Sequence, residues 1–152
     1  MHCEVKEVKE LIKMAIVTKK IKLKTKGNTD IINITPQVTE AVLSSGMTSG
    51  IVTVFVIGST AGITTIEYEP GLVQDLKNYF EKIAPVSGEY EHNLRWHDGN
   101  GYAHVRASSV GQSISIPLID GKMPLGTWQQ IILIDFDNKA RAREIIVQIL
   151  GE

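Results

Sequence analysis

The sequence predicts an α+β fold, a mostly antiparallel β-sheet packed with a few helices. Alternating or β-branched stretches recur along the chain, short turn signals separate many of them, and the helical stretches are short and amphipathic. Strands joined in succession by tight turns must run antiparallel. A length of 152 residues fits one domain over 1–152, long enough to bury a core without disulfides or a structural metal.

The elements follow in order. Val5, Val8, Leu11, Ile12 and Ala15 recur at helical intervals, with Glu4, Lys6, Glu7, Lys9, Glu10 and Lys13 on the other face, predicting a short amphipathic helix over 1–14. In "IVTKKIKLKT", Val17, Ile21 and Leu23 alternate with Lys20, Lys22 and Lys24, the period of a half-buried strand whose lysine row guards an edge. "KGN" supplies a turn and "DIINIT" a return strand, so a hairpin is expected. Thr35 reads as an N-cap with Pro36 at the first helical position, and Val38, Ala41, Val42 and Leu43 carry that helix toward Gly46.

"GIVTVFVIG" is a buried strand, linked through "GSTAG" to a second strand, "ITTIEYE". A helix restarts at "EPGLVQDLKNYFEKIAP", with Leu72, Val73, Leu76, Tyr79, Phe80 and Ile83 as its apolar stripe. "NGYAHVRASSVG" is a helix of two to three turns. "SISIPLI", "MPLGTWQQIILIDF" and "RAREIIVQIL" read as three strands joined by turns at "DGK" and "DNKA", with Asp120-Gly121 a hairpin signal. Trp128 is expected in a core or a subunit interface, where its indole N–H needs an acceptor.

Composition excludes several classes. A hydrophobic share of 43%, a charged share of 22% and a net charge of -1 are ordinary for a globular protein and give no global pull toward nucleic acid. The longest apolar run, residues 50–63, is cut by glycines and falls short of the roughly 20 residues a spanning helix needs, so no membrane partner is expected. The start lacks a signal peptide's apolar centre, and the single cysteine, Cys3, has no internal partner, which together suit a cytoplasmic protein.

Residues 92–109 hold three of the four histidines. On the predicted helix, Asn100, His104 and Ser108 fall four apart on one polar face, opposite Ala103, Val105, Ala107 and Val110. The histidine spacing fits no standard zinc pattern, but the loop between His92 and His104 lets the two rings meet. "GSTAG" at 58–62 suits an anion nest of backbone N–H groups, though the lysine of a P-loop is missing. Glu67 shares a strand face with Glu69, as an oxygen ligand or a base would require; solvent exposure is the plainer reading.

"GSTAGITTIEYEPGLVQDL", "YEHN", "DGNGYAHVRASSVGQSISIPLIDGKMPLGTWQQIILIDFD" and "RAREIIVQI", in this order and spacing, resemble the YjbQ-like family, over roughly residues 15–150. The resemblance implies a homotrimeric α+β protein with a weak thiamine-phosphate synthase activity, joining a pyrimidine pyrophosphate to a thiazole phosphate with loss of pyrophosphate. On it, His92 matches the H-N element, Asn100 and His104 the N-G-x-A-H element, Ser108 and Ser109 the S-S pair, and Gly126, Trp128 and Gln129 the L-G-T-W-Q element. Many members carry His-Thr-Thr-Ala where this chain has Gly58-Ser59-Thr60-Ala61, so one loop histidine is absent.

The enzyme reading casts His104 and His92 as the catalytic pair, with Asn100, Ser108, Ser109, Ser59, Thr60 and Arg106 holding phosphate oxygens. A divalent metal such as Mg²⁺ would fall to His92, His104 and Glu67. Two other readings stand beside it: a trimeric module that binds a phosphorylated metabolite or metal without chemistry, and a polar cluster serving assembly alone.

Overall fold

A computed structural model describes residues 13–152. The expected N-terminal helix and Cys3 lie outside the described residues, apart from Lys13 and Met14, which precede the first strand. The elements are β1 (Ala15–Lys24), β2 (Asp30–Asn33), α1 (Thr35–Leu43), β3 (Gly50–Val56), β4 (Ala61–Glu67), α2 (Pro70–Ile83), α3 (Glu91–Trp96), α4 (Gly101–Val110), β5 (Ser113–Leu118), β6 (Gln129–Asp135) and β7 (Ala142–Gly151).

The strands form two antiparallel sheets, ordered β1-β7-β3-β5 and β2-β6-β4. Inward residues Val52, Val54 and Val56 of β3 and Ile145, Val147 and Ile149 of β7 meet Ile63, Ile131 and Leu133 of the second sheet, with Val38, Ala41 and Val42 of α1 in the same core. On the other side of the second sheet, Ile132, Ile134 and Phe136 pack against Phe80 of α2 and Tyr102, Ala103 and Ala107 of α4. The layers are therefore sheet, sheet, helices. The run "IILIDF" is continuous because β6 is covered on both faces.

The antiparallel α+β class matches the sequence reading, but the expected hairpins do not form: no two consecutive strands pair. β1 pairs with β7 along its whole length and β2 with β6, because Gly27, Asn28 and Thr29, all at positive φ, carry the chain from one sheet to the other. Gly27 is indispensable there: a Cβ would stand 2.4 Å from the Lys139 carbonyl oxygen. β3 and β4 likewise fall in different sheets, as do β5 and β6. Asp120 and Gly121 do make the two-residue turn, yet it closes only the Ile119–Lys122 bridge before the chain leaves for the second sheet.

Smaller differences have local causes. Thr35 is the first helical residue, not the cap; its hydroxyl accepts from the Ile131 N–H at 2.7 Å and ties α1 to β6. Glu69 caps α2 instead, accepting from the N–H groups of Gly71 and Leu72. Tyr79 and Ile83 of the predicted stripe are exposed, while Val73, Leu76 and Phe80 pack inward. Trp128 is 69% exposed on a loop before β6 and does not enter the core of the chain. A short helix, α3, lies where the sequence reads as a loop.

Candidate functional site

α3, the N-terminus of α4, the loop after β3 and the turn after β6 meet at one end of the molecule. Asn93 of α3 accepts the Gly101 N–H at 2.9 Å, and the Asn138 amide donates to the Asp98 carbonyl at 2.8 Å, so the Asp98–Asn100 loop is held from both sides. Gly101 must be glycine for this joint: a Cβ would come within 2.6 Å of Tyr90 Cβ.

The joint sets the His92 and His104 rings 4.4 Å apart between centroids, tilted by 46°. His92 Nε2 lies 3.1 Å from the Asn100 side chain and 3.4 Å from Asp98 Oδ2. With its amide nitrogen turned inward, Asn100 donates to the Asp98 oxygens, leaving His92 Nε2–H to donate to the same carboxylate; the opposite orientation would set its carbonyl oxygen against the carboxylate. His104, half-buried, is held below the ordinary imidazole value by burial and by the His92 ring, opposed in part by Asp98, Asp137 and a backbone hydrogen bond at Ser59. Burial alone would raise Asp98, but hydrogen bonding to His92 and its charge outweigh that and lower it.

Behind the Gly58–Thr60 loop lies a buried ionic network. Arg143 donates from Nε and Nη2 to the two oxygens of Asp135, both at 2.7 Å, and from Nη2 to Thr60 Oγ1 at 2.8 Å. Thr60 donates to Asp137 Oδ2 at 2.9 Å, and Arg141 donates to the same oxygen at 2.9 Å. Burial pushes the Asp137 carboxyl up, but the bonds from Thr60 and Arg141 prevail and hold it below the usual carboxylate value. Its Oδ1 is the one buried side-chain polar atom without a partner among the described residues.

Of the residues singled out from the sequence, His92, Asn100 and His104 come together, and Ser59 reaches His104 through its backbone. The rest go elsewhere. Arg106 turns inward but away from the cluster: it is 2% exposed and donates to the Ala84 carbonyl, Thr29 Oγ1 and Glu81 Oε2, so its donors bind the fold and not a phosphate. This corrects the helix face as well, since Arg106 is buried where Val105 was expected and Val105 is exposed. Ser108 and Ser109 donate back to the His104 and Arg106 carbonyls of their own helix. Thr60 has its single proton committed to Asp137.

Glu67 ends β4 at the far end from Ala61, about 20 Å of strand away, beside Trp128 and Gln129 rather than the histidines. No group of three or more His, Cys, Asp or Glu able to hold a metal occurs among the described residues, so the expected His92, His104 and Glu67 set does not fit a resident divalent ion. Two contributors were missed from sequence. Asp98 stood in the histidine-rich stretch without a role, and the acids two apart in "DFD" with the arginines two apart in "RAR" were the available signal for the buried network.

Fold and site together define a class: a small two-sheet α+β protein with a half-exposed histidine pair at the mouth of a buried ionic network. The chain belongs to the family described as UPF0047 protein YjbQ-like, whose model matches residues 19–152. A UPF0047 protein of Methanothermobacter thermautotrophicus is 37% identical over 91% of this chain and 95% of its own. YugU of Bacillus subtilis is 33% identical over 88% and 98%. Among solved structures, a YbjQ-like protein of Sulfolobus solfataricus superposes with a TM-score of 0.88 at 36% identity, covering 92% of this chain and all of its own. An uncharacterized conserved protein of Clostridium acetobutylicum gives 0.79 at 38%, covering 86% and 98%.

Proposed function

We propose that the chain is a transferase acting on phosphorylated small molecules, of the thiamine-phosphate synthase type, with His92 and His104 as its working pair. The observation that carries this reading is the imidazole pair itself, 4.4 Å apart, with His104 biased toward its neutral form and Asp98 and Asn100 fixing His92. A neutral imidazole offers one N–H and one lone pair. In the reaction proposed, the bond from the pyrimidine methylene carbon to pyrophosphate breaks with its electron pair leaving on oxygen, and the thiazole nitrogen supplies the pair for the new bond. In the neutral ring that N–H is held by the Ser59 backbone, so the protonated ring, with its second N–H, is the form suited to donate to the departing oxygen, where charge builds, and its lowered pKa makes it a ready proton donor. Mg²⁺ enters as the counter-ion of pyrophosphate, since Glu67 lies at the far end of β4 from the histidine pair and cannot join it on one ion.

The reading includes a homotrimer. Its support is an exposed apolar row across the outer face of the first sheet, Ile16, Leu150, Ile51 and Pro117, set side by side by the strand register.

The test is formation of thiamine phosphate from the two phosphorylated precursors with Mg²⁺, comparing the unaltered chain with His104→Ala. The expected loss in kcat is about a hundredfold, the usual effect of removing one preorganised donor. A binding module is the second reading, favoured by the Ser108 and Ser109 hydroxyls, which are spent on carbonyls of their own helix and leave few side-chain donors for chemistry. If the substitution raises KM and leaves kcat unchanged, the module reading replaces the transferase.

A further inference from the structure

We infer that Arg143 completes an anion subsite at the Gly58–Ser59 loop, binding a phosphate group through Nη1. The inference rests on the phosphate-handling reading above and gives it the positive charge that Arg106 does not provide.

A guanidinium carries five N–H donors in a fixed plane. In Arg143, Nε and Nη2 are committed to Asp135 and Thr60, and Nη1 makes no hydrogen bond among the described residues. The side chain is 7% exposed, and Nη1 is not among the buried atoms lacking a partner, so it reaches solvent at the edge of an otherwise buried group. It does so against Gly58, which is itself exposed: a Cβ built there would stand 2.7 Å from Nη1. Gly58 holds φ at 136°, which a side chain would disfavour on its own account. The missing side chain thus lets the guanidinium edge reach the surface of the loop, one residue from the backbone that contacts His104.

The network is built to aim this group. Bidentate pairing with Asp135 fixes the guanidinium plane, and Thr60 fixes its third donor, so both Nη1 protons point in a set direction. Asp135 is matched by Arg143 and Asp137 by Arg141 and Thr60, so the cluster is internally neutral. Selection for an anion then comes from directed N–H donors rather than from net charge. A tetrahedral phosphate oxygen at Nη1 would lie beside the Gly58–Ser59 peptide, within the reach of a substrate whose reacting end lies at the histidine pair.

The experiment titrates inorganic phosphate into the full chain and follows the Arg143 Nε–H resonance together with the heat of binding. Saturable binding that shifts Arg143 is expected. Arg143→Lys keeps the charge beside Asp135 but removes Nη1 and the bidentate pairing, and Gly58→Ala leaves Arg143 and Asp135 in place while its Cβ, 2.7 Å from Nη1, blocks that edge of the guanidinium. Each should weaken phosphate affinity about tenfold or more. Gly58→Ala decides the question if Arg143→Lys fails to fold. Phosphate affinity unchanged in a folded variant, or no binding by the unaltered chain, overturns the subsite. Turnover is read separately: if it is absent while phosphate binding follows Arg143, the subsite stands and the transferase falls. If His104→Ala loses turnover while Gly58→Ala and Arg143→Lys bind phosphate normally, the transferase stands and the subsite falls.

Discussion

Burial and the neighbouring His92 hold His104 below the 6.5 of an ordinary imidazole, so folding disfavours its protonated form. As pH falls through about 6.5, the unfolded chain takes up a proton that the native ring still refuses. The stability held above that pH is therefore lost progressively toward the lower folded value. Urea midpoints at neutral and mildly acidic pH should show this fall, and His104→Asn should flatten it; an equal slope in both proteins would show that the ring is not held neutral. Residue chemistry was partly legible in the sequence, since His92, Asn100 and His104 do converge. Arg106 was not, because whether a guanidinium faces a site or a core depends on which carbonyls packing brings near it, here that of Ala84.

At the scale of elements, the joint between α3 and α4 decides whether the histidines meet. Gly101 has Tyr90 Cβ and Asn93 Oδ1 within 3.0 Å of where its Cβ would be, so Gly101→Ala must displace α3. We expect the variant to stay folded, losing about 1–3 kcal/mol to overpacking, and to lose contacts between the His92 and His104 rings in NMR. Ring contacts kept intact would show that α3 is placed by something other than this joint. α3 escapes sequence reading because its six residues, "EHNLRW", are too few to display a helical period. The longer helices α1, α2 and α4 are legible from proline, glycine and apolar spacing, although the cap of α2 is Glu69 and α1 starts at Thr35 itself.

For the whole molecule, the two sheets bury their inner faces on each other with α1 in the same core, and α2 and α4 cover the second sheet, while among the described residues no helix joins a core on the outer face of the first. The apolar row on that face is followed by a polar one, Thr18, Gln148, Thr53 and Ser115, so an assembly contact is expected at the Ile51 end of the sheet. Sedimentation equilibrium should give a trimer for the unaltered chain and a monomer for Ile51→Lys, whose charge would be buried unpaired at the contact. A monomer in both would remove the trimer from the proposal.

Sequence alone determined the class of fold, the strand segments and the stretch that holds His92, Asn100 and His104, because alternation, β-branching and turn chemistry are local properties written residue by residue. Tertiary structure decided which strands pair. Each tight turn joins strands of different sheets, and both partners of β7, the last strand, come from the first 56 residues, β1 and β3. It also decided which charged groups face inward. Arg106 and Arg143 sit on elements of similar polarity, yet one is closed over by Ala84 and Glu81 while the other keeps a free edge beside Gly58. Pairing and burial depend on contacts between residues distant in sequence, and no local pattern encodes those.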